Sequence, residues 1–329
     1  MKCRFLILIL IIIMAFTGCS NSYENNDTVK IGYVGSYMEL PLFMAYENGY
    51  FDKEGLNVKL VKVDEEDTEN KIKDGSIDAL TCDYRFLKWN EDNISIKTSI
   101  GLTSGPIEII AFQNGRFKEI NDIENKRIGI AYGGNGTMTA AINVLNRNNI
   151  NSKSIQWIYL NGRNPVEAIE NKEIDGAVVW NINQEYDDSK IRTVYKTNLA
   201  DNNSLCTNHS SHSNDYFYIN FAGIRAETVD KCPEKSAGIL RAWSEGASSV
   251  ESDKTGALNT AVEKGYIKEI KEDEKAETDY FMWMPSVKSA KKNLQDYISV
   301  QKSEGIINSN TDEEYFFNNI FADILPFWD

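Results

Sequence analysis

The chain has 329 residues, with 49 Asp and Glu against 35 Lys and Arg and a formal net charge of −14. That balance argues against nucleic acid as a partner, because phosphate recognition needs a clustered basic face. Five cysteines in so long a chain give no dense disulfide framework, so an apolar core must carry stability, and the length suits two domains of ordinary size.

The N-terminus reads MKCRFLILILIIIMAFTGCSNS. Lys2 and Arg4 precede an apolar run, Phe5 to Phe16, that falls short of the ~20 residues of a membrane-spanning helix. Small residues and Cys19 follow, the order of a secretory signal peptide. Its end resembles the lipobox of bacterial lipoproteins, in which the cysteine becomes the lipidated first residue. The resemblance implies a leader over 1–18, a lipid on Cys19 and a polar tether over 19–27; a plain signal peptide or a short anchor is the alternative. Cys82, Cys206 and Cys232 then remain, an odd number that allows at most one disulfide.

VKIGYVG, from Val29, alternates apolar and small residues as a buried strand does. LPLFMAYENGYF carries apolar residues at helical spacing and stops at Gly49. LNVKLVKV reads as a second strand, DTENKIKDGS as a helix ending at Gly75, and IDALTCD as a third strand. Strand, helix, strand, helix, strand implies a parallel sheet with helices on its faces. ISIKTSIGL and IEIIAF read as further strands. A second α/β unit follows: NKRIGIAYGGNGTMTAAINVLNRNNI, then the strand IQWIYL, the helix NPVEAIENKEI and the strand DGAVVWN. YFYINFAGIRAETV returns to a strand, and from PEKSAGILRAWSEGASSV onward helices dominate. There is one loose internal echo, since KDGSIDALTCD and ENKEIDGAVVWN both join a helix to a strand through an acid.

AYENGYFDKEGLNVKL resembles the early segment of bacterial solute-binding proteins in the nitrate, taurine, aliphatic-sulfonate and thiamine-precursor-binding family, which serve ABC importers. IKDGSIDAL, IENKRIGIAYGGNGTMTAAINVL and EAIENKEIDGAVVW agree with later segments of that family in order. The resemblance implies an α/β fold of the periplasmic-binding-protein type II kind. Its two lobes are each a mostly parallel sheet flanked by helices, with the ligand in the cleft between them. The lobes are expected at 28–113 plus 214–329 and at 114–213, closing about a hinge. It further implies a monomer with no cofactor and no enzymatic activity. Such a protein takes a small organic solute, a sulfonate, zwitterionic amine or pyrimidine-like molecule, and hands it to a cognate permease and ATPase. A lipid on Cys19 would hold it at the extracytoplasmic face of a membrane, in a Gram-positive bacterium.

Ligands of open parallel sheets sit beyond the carboxyl ends of the strands. That rule selects Ser36, Tyr37 and Glu39 after the first strand, and Cys82, Asp83 and Tyr84 after the third. It also selects Thr103 and Ser104 after SIGL, and Trp180 and Asn181 after GAVVW. In YGGNGTMTAA, Gly134, Asn135, Gly136 and Thr137 form a glycine-rich strand-to-helix turn with Thr137 as a candidate cap, whose free N–H groups favour an anionic group. No lysine follows in the order a phosphate-binding loop requires. Asp83 suits a cationic amine, or else a turn paired with Arg85. Tyr37, Tyr84 and Trp180 suit either an aromatic wall or core packing.

CTNHSSH, Cys206 to His212, holds both histidines of the chain. On the resemblance this loop borders the cleft, and His209 and His212 are candidate hydrogen-bond donors to the ligand. A metal held by Cys206, His209 and His212 is a competing reading, although i, i+3, i+6 is not a familiar zinc spacing and no second Cys or His cluster completes the set. Another is an enzyme of the pyrimidine-precursor type on the same fold. The sequence has neither a G-x-S-x-G elbow nor an H-E-x-x-H helix. A third is an adhesin or sensor ectodomain.

Overall fold

The computed structural model describes residues 28–130, 136–161, 163–180, 187, 189–197, 217–268, 275, 278–279 and 281–325. Cys19, Gly134, Asn135, Asn181, Cys206, His209 and His212 therefore lie outside the described residues.

Two sheets organise the molecule. The first begins with β1 (Val29–Tyr33), whose Val29 and Ile31 are buried. Helix α1 (Leu40–Glu47) follows and is buried along Leu40–Ala45, with Pro41 in its first turn, where a missing N–H costs nothing. Gly49 (φ +67°) ends it and leads into the single-turn α2 (Tyr50–Lys53); Gly55 (φ +71°) turns the chain into β2 (Val58–Lys62). Both positions need the left-handed backbone that glycine adopts without a Cβ clash. Phe51 is buried, and the Tyr50 hydroxyl pairs with Ser249 Oγ at 2.7 Å. Helix α3 (Thr68–Lys73) leads to β3 (Ala79–Cys82), and α4 (Arg85–Glu91) follows it.

The stretch ISIKTSIGL divides into β4 (Ile96–Lys97) and β5 (Gly101–Ser104). Across Gly105 and Pro106 the chain enters the second sheet as β6 (Ile107–Phe112). β6, which lies within the segment 28–113 expected for the first lobe, pairs with strands of the second sheet, from residues 176–196, a partnership that local sequence does not reveal. The second sheet continues with β7 (Arg127–Ile130), α5 (Gly136–Arg147), β8 (Gln156–Tyr159), α6 (Pro165–Glu170), β9 (Gly176–Trp180) and β10 (Ile191–Lys196). The chain then returns to the first sheet as β11 (Tyr218–Arg225). The C-terminal part is helical: α7 (Ala226–Lys231), α8 (Pro233–Ser252), α9 (Lys254–Glu263), α10 (Val287–Ser303) and α11 (Glu313–Ile320).

The first sheet runs β2-β1-β3-β11-β4, with β5 also on β11; the second runs β10-β6-β9-β7-β8. In each, three parallel strands (β2, β1, β3 and β8, β7, β9) meet a strand that crosses between the sheets and pairs antiparallel with β3 or β9. The direction follows from connectivity: a strand arriving from the other sheet enters from the end where the parallel strands finish. The crossings are bonded to each other. Gly105 N donates to the Phe217 carbonyl at 3.2 Å, Ile107 N to Thr197 Oγ1 at 2.9 Å, and Thr197 N to the Ile107 carbonyl at 3.0 Å.

Helix α1 is apolar on nearly all sides because α8 covers the face turned from the sheet. The two approach closely at Gly246, where an added Cβ would overlap the Pro41 carbonyl oxygen. Trp243 and Ile239 of α8 and Phe43 of α1 are fully buried in the same core.

Candidate functional site

The loop after β1 is built around one carboxylate. Glu39 is 4% exposed. Its Oε1 accepts the Val34 N–H at 2.9 Å, and its Oε2 accepts those of Gly35 and Ser36 at 2.8 and 2.9 Å. Ser36 Oγ accepts the Met38 N–H at 3.2 Å, so Ser36 and Glu39 form a reciprocal capping box. Gly35 (φ +96°) permits the bend, and a Cβ there would press on the Tyr266 carbonyl. Burial raises the Glu39 carboxyl above its usual range, although the three amides and the nearby Lys62 favour the ionised form.

Beside this loop, at the carboxyl ends of β1 and β3, lies a cavity of about 200 Å³. Ser36 and Glu39 line one side, and Thr81, Cys82, Asp83 and Asn220 another. Asn220 is 5% exposed, and its Nδ2 has no hydrogen-bond partner; Thr81 Oγ1 is likewise buried without one. Unsatisfied buried polar atoms are uncommon in folded proteins because each costs about 1–3 kcal/mol, and here two belong to residues that line one cavity. At the rim Asp83 holds Arg85: the Arg85 Nε lies 2.9 Å from both carboxylate oxygens, and its backbone N–H donates to Oδ1 at 2.9 Å. Glu65 accepts from Arg85 Nη1 at 3.0 Å. The two carboxylates hold the guanidinium pKa above its ordinary value against the opposing effect of burial. Burial drives the Cys82 thiol well above its usual range, so it stays protonated.

The remaining sequence candidates fall in different surroundings. Tyr37 stacks on Phe281 with ring centroids 6.4 Å apart. Thr103 and Ser104 are fully buried in β5, in register with Asn220 and Tyr218 of β11, and their hydroxyls have no hydrogen-bond partner. Helix α5 is described from Gly136, and Thr137 lies inside it and is buried. Gly136 is wedged between two aromatic rings: a Cβ there would sit 3.1 Å from Tyr84 and 3.3 Å from Trp180. Here the second sheet's helix meets a residue two places beyond the end of β3. Tyr84 is core: its hydroxyl donates to the Tyr218 carbonyl, and its ring packs edge-on against Phe221 at 5.4 Å. Cys82 and Cys232 are both free thiols.

Thr81, Arg85, Trp89 and Asn220 line the cavity without having been selected as ligand contacts from the sequence. Thr81 and Asn220 lie inside strands, where the end-of-strand rule does not look. The usable signal was alternation: a polar residue among the apolar ones of YINFAGI and ALTC. Among the described residues no group of three or more His, Cys, Asp or Glu could hold a metal, and no helix is long and apolar enough to cross a membrane.

The same fold is found in known proteins. The structure resembles a putative periplasmic sulfonate-binding protein SsuA of an ABC transporter from Methylobacillus flagellatus, with a TM-score of 0.67 and 15% identity over 92% of this chain and 95% of that one. It resembles the periplasmic aliphatic sulphonate-binding protein SsuA of Escherichia coli (TM-score 0.63, 11% identity, 91% and 98% coverage). It also resembles the periplasmic nitrate-binding protein NrtA of Synechocystis (TM-score 0.60, 15% identity, 91% and 87% coverage). The fold is thus the two-lobed fold of periplasmic binding proteins from ABC importers. No curated protein sequence matches the chain. The NMT1/THI5-like family model matches residues 38–266, from the capping-box loop through both sheets to the end of α9, and the chain belongs to that family.

Proposed function

We propose that the protein is the extracytoplasmic solute-binding component of an ABC importer. It captures a small organic solute between two lobes and delivers it to a membrane permease. The observation that carries this reading is the polar cavity at the strand ends of the first sheet, whose lining residues Asn220 and Thr81 each keep an unpartnered polar atom. It opens where ligands of such sheets bind, next to the bonded crossing strands about which two lobes can hinge. The lobes are proposed at 28–104 with 218–325 and at 107–197, divided at Gly105–Pro106. The N-terminal sequence supports a leader over 1–18 and a lipid on Cys19, which would keep the receptor beside its permease.

A solute that binds the folded state alone stabilises it by RT ln(1 + [L]/Kd), about 2.7 kcal/mol at a hundredfold excess over Kd. Thermal unfolding of the purified full chain against fractionated small-molecule extract tests the reading. A saturable rise in midpoint with no change in the solute recovered afterwards supports capture. Chemical conversion of the solute would replace capture with catalysis.

A further inference from the structure

Fold relatives are named for sulfonate and nitrate, both oxyanions, yet among the described residues the lining of this cavity offers little to hold one. An anion in a protein is held by unoccupied N–H groups or by a cation. The free N–H groups of the loop after β1, those of Val34, Gly35 and Ser36, are all taken by Glu39. The one lining cation among the described residues, Arg85, is held by Asp83 and Glu65 at 2.9 and 3.0 Å. Lys62 lies over the Tyr33 ring at 5.8 Å and does not line the cavity. Counting both cations, the carboxylates of Glu39, Glu65 and Asp83 still outnumber them. An oxyanion entering here would meet like charge in a partly desolvated space.

The same groups suit a cation. A carboxylate offers about two lone-pair sites on each oxygen. Oε2 of Glu39 accepts two amides and Oε1 only one, which leaves an acceptor site on Oε1. Asn220 supplies a second and independent observation. The residue is nine-tenths buried and lines the cavity, and its Nδ2 is unpartnered, so turning the amide toward the cavity would offer a donor to an oxygen on whatever binds. Thr81 Oγ1 adds a hydroxyl that can serve either way.

Resting on the solute-receptor reading above, we infer that the cavity selects a small organic ammonium ion carrying a hydroxyl or carbonyl oxygen, with Glu39 receiving the ammonium and Asn220 the oxygen. Glu39 is then the residue that sets specificity against oxyanions.

The test is calorimetry and thermal unfolding of the full chain in mild detergent with two probe sets. Ethanolamine, choline and glycinamide are the ammonium probes; methanesulfonate, sulfate and nitrate are the oxyanions. The inference expects saturable binding within the first set and none within the second. Glu39→Gln, which keeps the shape and an acceptor oxygen, should weaken the ammonium probes roughly tenfold or more. Since Glu39 also shapes its loop, Thr81→Val and Asn220→Leu provide further variants, each expected to weaken binding without changing the class preference. Saturable binding of an oxyanion with no response to the amines overturns the inference and leaves the receptor reading standing. So does ammonium binding that Glu39→Gln leaves unchanged. If neither set binds, native mass spectrometry of the protein as purified decides: a co-purified solute without an ammonium group overturns the inference alone, and a bare protein mass overturns both readings.

Discussion

In both sheets an aspartate one residue ahead of a strand binds the backbone of a strand 48 residues earlier. Asp78 accepts the Lys30 N–H and Asp175 that of Arg127, each at 2.9 Å. The aspartates' own N–H groups donate back to the Lys30 and Arg127 carbonyls at 2.7 and 2.8 Å. Two residues further along each strand a glycine, Gly32 or Gly129, makes room for the isoleucine before the aspartate, Ile77 or Ile174. The frame is the same in the two units, but what is added to it differs. Arg127 also closes its side chain onto Asp175, with Nη2 to Oδ1 at 2.9 Å and Nε to Oδ2 at 3.2 Å, whereas Lys30 is exposed with no ion pair to Asp78. The first unit instead spends a buried acid, Glu39, at the opposite end of its strands. The backbone cap thus builds the fold, and the side-chain pair is an addition to it. The chemistry that distinguishes one unit from the other sits at the carboxyl ends, where ligands meet such sheets.

The largest way to break this comparison is Glu39→Ala. It leaves three backbone donors without their acceptor and should cost about 3–4 kcal/mol in chemical denaturation, at one lost hydrogen bond of roughly 1–3 kcal/mol for each buried donor, partly relieved by water. Asp175→Ala comes next at about 2–3 kcal/mol, since the Arg127 amide and half-buried guanidinium lose a common partner; Asp78→Ala, with only the backbone bond to lose, should cost about 1–2 kcal/mol. Gly32→Ala and Gly129→Ala should each cost about 1–2 kcal/mol and match one another, because both new methyls press on the flexible end of an isoleucine. Smallest is the pair that isolates the side-chain addition: Arg127→Ala should lose about 1 kcal/mol, and Lys30→Ala should fall within about 0.5 kcal/mol of the parent.

The two acids should also give opposite pH responses. The hydrogen bond from Arg127, with its charge and backbone N–H, lowers the Asp175 pKa in the folded state. Its stability contribution is therefore present above the unfolded value of about 4 and lost as pH falls through the folded value. The parent's advantage over Asp175→Asn should shrink in acid. Glu39 is raised by burial, so its contribution is present below the unfolded value of about 4.3 and lost as pH rises through the folded one. The parent should lose ground to Glu39→Gln as pH rises from 4 toward neutrality. Midpoints of denaturation across that range check both signs.

Much of this frame was readable before any coordinates. The paired segments KDGSIDALTCD and ENKEIDGAVVWN mark the two aspartates, because an acid between a helix and an apolar strand has a local signature. Gly49 and Gly55 mark their turns for the same reason: positive φ is a property of one residue. The partnership of strands was harder. IEIIAF reads as a strand, but its place in the second sheet depends on residues 176–196. The stretches RFLKWNE, which forms α4, and IRTVYK, which forms β10, are too short for periodicity alone to mark them. YFYINFAGIRAETV turns from β11 to α7 at Ala226, where the Arg225 N–H donates to the Asp78 carbonyl and the Ala226 N–H to that of Ser95, partners far away in the chain. At the site, loop residues such as Ser36 and Asp83 follow from a positional rule, whereas Thr81 and Asn220 line the cavity through the register of their strands.

The central claim is that the protein holds a small organic solute. Native mass spectrometry of the full chain purified from its own cells, followed by denaturation to release any passenger, tests it most directly. The account predicts a protein ion heavier by one small organic molecule, with the extra mass lost on unfolding and reduced in Asn220→Leu. A bare protein mass, together with no stabilisation by small-molecule extract, would contradict it.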